Sequence, residues 1–105
     1  MIWFVLILAG LFEVGMAIML KMSKGFSELW PSAGFVLFGL TSFYLLSQAV
    51  KELPVGTAYA VWTGIGAIGT ATLGMLFFDE PSTLPRILSI LLIIAGVVGL
   101  RLYGA

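Results

Sequence analysis

Four long apolar runs separated by short polar breaks make up nearly the whole chain. The first covers about 2–20 and is interrupted only by Glu13; the second covers 32–50; the third, 55–78, carries no charge at all. The fourth, about 84–102, is uncharged between Arg86 and Arg101, whose long side chains reach back toward the headgroups. A bilayer core of about 30 Å is crossed by roughly 20 helical residues, so each run predicts one crossing. No stretch alternates apolar and polar residues as a barrel strand would, and only helices or closed barrels satisfy backbone polar groups in lipid. No basic region precedes the first run, which is therefore expected to remain as a span and not to act as a removable leader.

The breaks "KMSKGFSELWPS", "KELP" and "FDEPSTLPR" hold nearly all the charge and leave no room for a soluble domain. Pro31, Pro54, Pro81 and Pro85 fall at or beside the expected helix ends, where a missing amide donor matters least. Trp3, Trp30 and Tyr103 lie near span ends, as interfacial anchors do. The composition agrees: of 105 residues 61% are hydrophobic and 10% charged, with a mean hydropathy of +1.17. The expectation is an all-α membrane protein, a single transmembrane domain over 1–105.

Charge refines this picture in two ways. Acidic and basic residues balance at five each, which gives no electrostatic case for nucleic acid, and the lack of cysteine and histidine removes disulfides and soft metal sites. No cofactor is expected, and no nucleophile and base pair suggests an enzyme. An even number of spans puts Lys51 and Arg101 on one side and Lys21, Lys24 and Arg86 on the other. That near tie gives the positive-inside rule little to act on, so the chain is expected either to insert in both orientations or to have its orientation fixed by something else. Opposite insertion would supply both halves of an antiparallel, dual-topology dimer, with one sequence serving as the two inverted repeats of larger transporters. The small residues of "GTAYAVWTGIGAIGTATLG", with Gly96 and Gly99, suit close packing between subunits.

Glu13 lies roughly 16 Å along the first helix, deep in the bilayer. A charge left there in hydrocarbon costs several kcal/mol, so the acid faces a protein cavity, is protonated, or alternates between the two. It is the one ionisable residue deep in any span, a functional candidate by default; the bland alternative is a protonated acid bridging helices. Gly10 and Met16 share its helical face with Ala9 and Ala17, leaving room for a visiting ligand. Ser42 lies near mid-depth in the second span, within reach of either Glu13 or its own backbone. Tyr59 and Trp62 are three apart on one face of the third span, with Thr63 beside them. Such a pair is either packing or, opposite a carboxylate, a wall for an organic cation. Gly64 and Gly66 in "TGIG" read equally as a hinge for alternating access or as a close helix contact.

Taken together, "AGLFEVG", "KGFSELWPS", "SFYLLSQAVKELPVGTAYAVWTGIGA" and the glycine-bearing last helix resemble the small multidrug resistance family of proton-coupled exporters over essentially the whole chain. "LPVGTAYAVWTGIGA" looks more like the guanidinium-exporter branch than the quaternary-ammonium branch. The resemblance implies an antiparallel homodimer, or a heterodimer of paired chains, in the inner membrane, exchanging protons for guanidinium-like cations. It carries the central acid onto Glu13, its hydrogen-bond partner onto Ser42, and the aromatic site residues onto Tyr59 and Trp62. One position departs: guanidinium exporters usually have a tryptophan one turn after the acid, and this chain has Met16. An N–H donor is replaced by flexible, polarizable volume, which points toward larger substituted guanidiniums or quaternary ammoniums, or toward one member of a heterodimeric pair.

Overall fold

A computed structural model describes residues 1–103. Each apolar run is one continuous helix: α1 (Ile2–Met22), α2 (Leu29–Ala49), α3 (Val55–Phe77) and α4 (Leu84–Tyr103). At 20 to 23 residues each is long and apolar enough to cross a bilayer, and the protein is a multi-pass membrane protein. α2 starts ahead of its apolar run because Pro31 sits in the first turn, where helix amides have no intrahelical partner. Pro54 caps α3, and Pro85 is the second residue of α4.

The turns are compact. Between α1 and α2, Lys24, Gly25 and Phe26 all take positive φ, and the buried Ser23 hydroxyl accepts from the Phe26 amide at 3.1 Å while donating to the Leu20 carbonyl at 2.7 Å. Between α3 and α4, Asp79 has φ 55°, and the Glu80 amide returns to the Gly74 carbonyl at 3.2 Å. The Glu80 carboxylate then lies over Gly74 and pairs with Arg86 at 2.5 Å.

α1, α2 and α3 pack together, whereas the α4 backbone lies close to α3 alone, α4 reaches α1 through the Arg101 side chain at Trp3, and none of its residues is buried. The result is a slab of 40 × 34 × 18 Å, too thin to enclose a large interior. Its core comes from one face of each of the first three helices, including Leu6, Ala9, Leu46, Ala58, Val61 and Trp62. α1 and α3 run parallel and in step: Gly10 meets Ile65, Glu13 meets Gly66, and Val14 meets Gly69. α2 runs back against α1, so that Gly39 meets Met16 and Gly34 meets Met19. This register decides which mid-membrane side chains come together.

Candidate functional site

The site is built in two layers on the α1–α3 register. In the upper layer Trp62, only 3% exposed, donates its indole N–H to the Ser42 hydroxyl at 2.9 Å. Ser42, fully buried, donates to the Ala9 carbonyl at 2.6 Å. Ala9 is one helical turn before Glu13, and its carbonyl is also the one that the helix ladder offers to the Glu13 amide. Ser42 therefore bonds neither Glu13 nor its own helix here. Its proton goes to α1 because Ala9, without a side chain beyond Cβ, lets the α1 backbone approach α2 closely.

One turn further along lies the acid. A Cβ built on Gly66 would overlap the Glu13 carboxylate, so the carboxylate rests directly on the bare backbone of α3. Glu13 Oε1 is buried and has no hydrogen-bond partner among the described residues. Gly66 is four residues after Trp62, which aligns the carboxylate and the indole along one face of α3. Trp62 in turn contacts Tyr59 (ring centroids 5.4 Å apart, tilted 48°) and Phe43 (5.1 Å, tilted 54°). Tyr59 is 54% exposed, so the aromatic group opens outward at its Tyr59 edge.

The remaining residues expected at the site divide. Thr63 turns its hydroxyl back onto its own helix, donating to the Tyr59 carbonyl at 2.9 Å. Gly10 gives close packing and no open room, since a Cβ there would lie 2.6 Å from Ile65 Cγ2. Gly64 occupies a similar close approach, 2.6 Å from Val97 of α4. Met16 lies over Gly39 and forms, with Phe35, Val36, Leu40 and Phe43, a wholly apolar groove of about 260 Å³ between α1 and α2. Phe43 and Gly39 had no part in the sequence reading. Phe43 follows Ser42 directly, yet only the α2–α3 contact brings it to Trp62.

A buried acid oxygen without a partner, set beside an aromatic cluster on spans and not on a soluble domain, suits capture of a small cation within the membrane. Comparison with known proteins points the same way, since the family model described as Small Multidrug Resistance protein matches residues 1–93. The chain belongs to the small multidrug resistance family. Among its relatives is a protein of Yersinia pseudotuberculosis named "Guanidinium exporter", 55% identical over 102 residues that cover 97% of this chain and 98% of the relative. Proteins of the same name from Salmonella typhimurium and Citrobacter freundii are 51% identical over 102 residues, covering 97% of either chain. With relatives named as exporters, this small multidrug resistance chain is a transporter and not an enzyme.

Proposed function

We propose that the chain exports guanidinium or small substituted guanidinium cations in exchange for protons, with both ligands competing for the Glu13 carboxylate. The observation that carries this reading is the buried Glu13 Oε1, which has no hydrogen-bond partner among the described residues and lies against Gly66. A planar guanidinium offers N–H donors in pairs that match a carboxylate edge, adding geometric selection to charge. Tyr59 and Trp62 face the cation with aromatic surface, and Ser42 holds Trp62 in place. The names of the relatives at 51–55% identity favour guanidinium.

Protons and cation compete for the same oxygens, so binding of one releases the other, and antiport follows when the site exchanges its open face. The working unit is an antiparallel homodimer in the inner membrane. The uncovered α4, with nothing within 4 Å of a Cβ at Gly96 or Gly99, supports a subunit contact there. Gly64 and Gly66 serve as the flexible points of α3 during exchange. Met16 and its apolar groove favour a second reading, broader selectivity toward alkylated guanidinium or quaternary ammonium cations, or service as one half of a heterodimer. The test is Glu13→Gln in proteoliposomes under a pH gradient. Loss of guanidinium uptake with an intact helical fold is expected, and persistence of proton-driven uptake would overturn the proposal.

A further inference from the structure

A second cavity, of about 370 Å³, lies between α1, α3 and α4. Its lining includes Val61 and Ile65 of α3, Ile7 of α1 and Val98 of α4, with Trp3 and Arg101 toward the helix ends. The lining is apolar apart from that end, where the Arg101 guanidinium carbon stacks 4.9 Å from the centre of the Trp3 ring. The end is the membrane surface, because Trp3 is near the start of α1 and Arg101 near the finish of α4. A contact of this kind draws on the charge of the guanidinium and does not consume its N–H donors. No acceptor for those donors occurs among the described residues.

We propose that this groove is a site for an anionic phospholipid, with the phosphate on the Arg101 edge and the first part of an acyl chain between Ile7 and Val98. Charge complementarity selects the occupant. A cationic substrate is repelled by Arg101, and a zwitterionic lipid brings its own cation to the same end. A phosphate takes two parallel N–H bonds from an arginine, and lipid tails match aliphatic walls. Trp3 holds the guanidinium at headgroup depth and so acts as a positioning residue.

The test is native mass spectrometry of the full chain in detergent, titrated with phosphatidylglycerol or phosphatidylcholine. The wild type is expected to retain phosphatidylglycerol selectively, Arg101→Gln to retain it about tenfold less, and Arg101→Lys to fall between. Val98→Phe, which fills the groove and keeps the arginine, should lower retention of both lipids. Equal retention of the two lipids by the wild type, or unchanged phosphatidylglycerol retention in Arg101→Gln, overturns the proposal. So does rapid cross-linking of Val98→Cys chains to one another in liposomes, which would give the groove to a second copy. Transport of guanidinium is expected to be unchanged in Arg101→Gln, which keeps this inference separate from the Glu13 reading.

Discussion

The indole N–H of Trp62 on α3 reaches the Ser42 hydroxyl on α2 at 2.9 Å, and that hydroxyl reaches the Ala9 carbonyl on α1 at 2.6 Å. One side-chain oxygen thus ties three helices at the level of the site. Ser42→Ala removes both bonds and leaves a buried indole N–H without an acceptor, at a cost of about 1–2 kcal/mol. Trp62→Phe removes the donor and keeps the Ser42 to Ala9 bond. Reversible unfolding in bicelles should therefore show coupling in the Ser42→Ala, Trp62→Phe double mutant, which loses less than the sum of the singles. Strictly additive losses would mean that the Trp62 to Ser42 bond contributes nothing.

Gly66 and Glu13 give the next expectation. A Cβ at Gly66 would lie 2.5 Å from Glu13 Cδ, so Gly66→Ala must displace the carboxylate, even though alanine favours the helix by up to about 1 kcal/mol. The fold is expected to persist while equilibrium affinity for guanidinium falls, as read by calorimetry in detergent. A pure hinge role predicts a different outcome, namely intact affinity with slowed exchange. The two are separated by measuring binding and transport on the same variant.

Much of this was legible in the sequence, and the division follows from what a single helix can encode. Four apolar runs of bilayer length could become only four spans, and Glu13 stood out because nothing else ionisable lies as deep. The partners of these residues were not legible. Ser42 could have bonded Glu13 or its own helix, and it bonds Ala9, because the choice depends on how α1 and α2 slide past each other. Gly66 looked like a hinge candidate from its neighbours in the chain. Its contact with Glu13 comes from the parallel α1–α3 register, which no local pattern contains. Gly10 likewise reads as open space along α1, until Ile65 of α3 fills it.

In the proposed antiport, competition at the Glu13 carboxylate sets the pH dependence of binding. Protonation removes the negative charge that holds the cation, so guanidinium affinity is expected to fall as pH falls. In the range where the acid is mostly protonated, the fall approaches about tenfold per pH unit for one proton released. Titrating guanidinium against the intrinsic fluorescence at several pH values checks this. An affinity independent of pH would mean that protons and cation occupy separate groups.

The Glu80 to Arg86 pair closes the α3–α4 turn, but its side chains are 32% and 41% exposed, so it is expected to contribute under about 1 kcal/mol. Gly74→Ala gains helix propensity and forces the Glu80 carboxylate off α3, breaking the pair. The two effects offset, and the single variant should melt close to wild type. In a Glu80→Ala background nothing remains to displace, so Gly74→Ala should then stabilise by up to about 1 kcal/mol. Thermal unfolding of the four proteins tests this, and an equal effect of Gly74→Ala in both backgrounds would show that Glu80 does not rest on α3.

Met16 follows Glu13 by three residues and therefore shares its side of α1. Its sulfur would lie 3.1 Å from a Cβ at Gly39, so the thioether already fills the gap that the glycine leaves. Beyond it the groove walled by Phe35, Leu40 and Phe43 is apolar, suited to an alkyl substituent and unable to hydrogen-bond a bare guanidinium. Met16→Trp would fill that groove with a rigid ring and bring an N–H donor next to the acid. Transport of alkylguanidiniums should drop about tenfold or more relative to guanidinium, the range over which hydrophobic pockets discriminate by size. Gly39→Ala should act in the same direction by pressing Met16 toward the carboxylate, although with a smaller effect. Electrogenic currents on supported membranes, screened across guanidinium and a series of alkylguanidiniums, read both variants. An unchanged substrate profile in Met16→Trp would remove this position from the selectivity of the site and leave Tyr59 and Trp62 to set it.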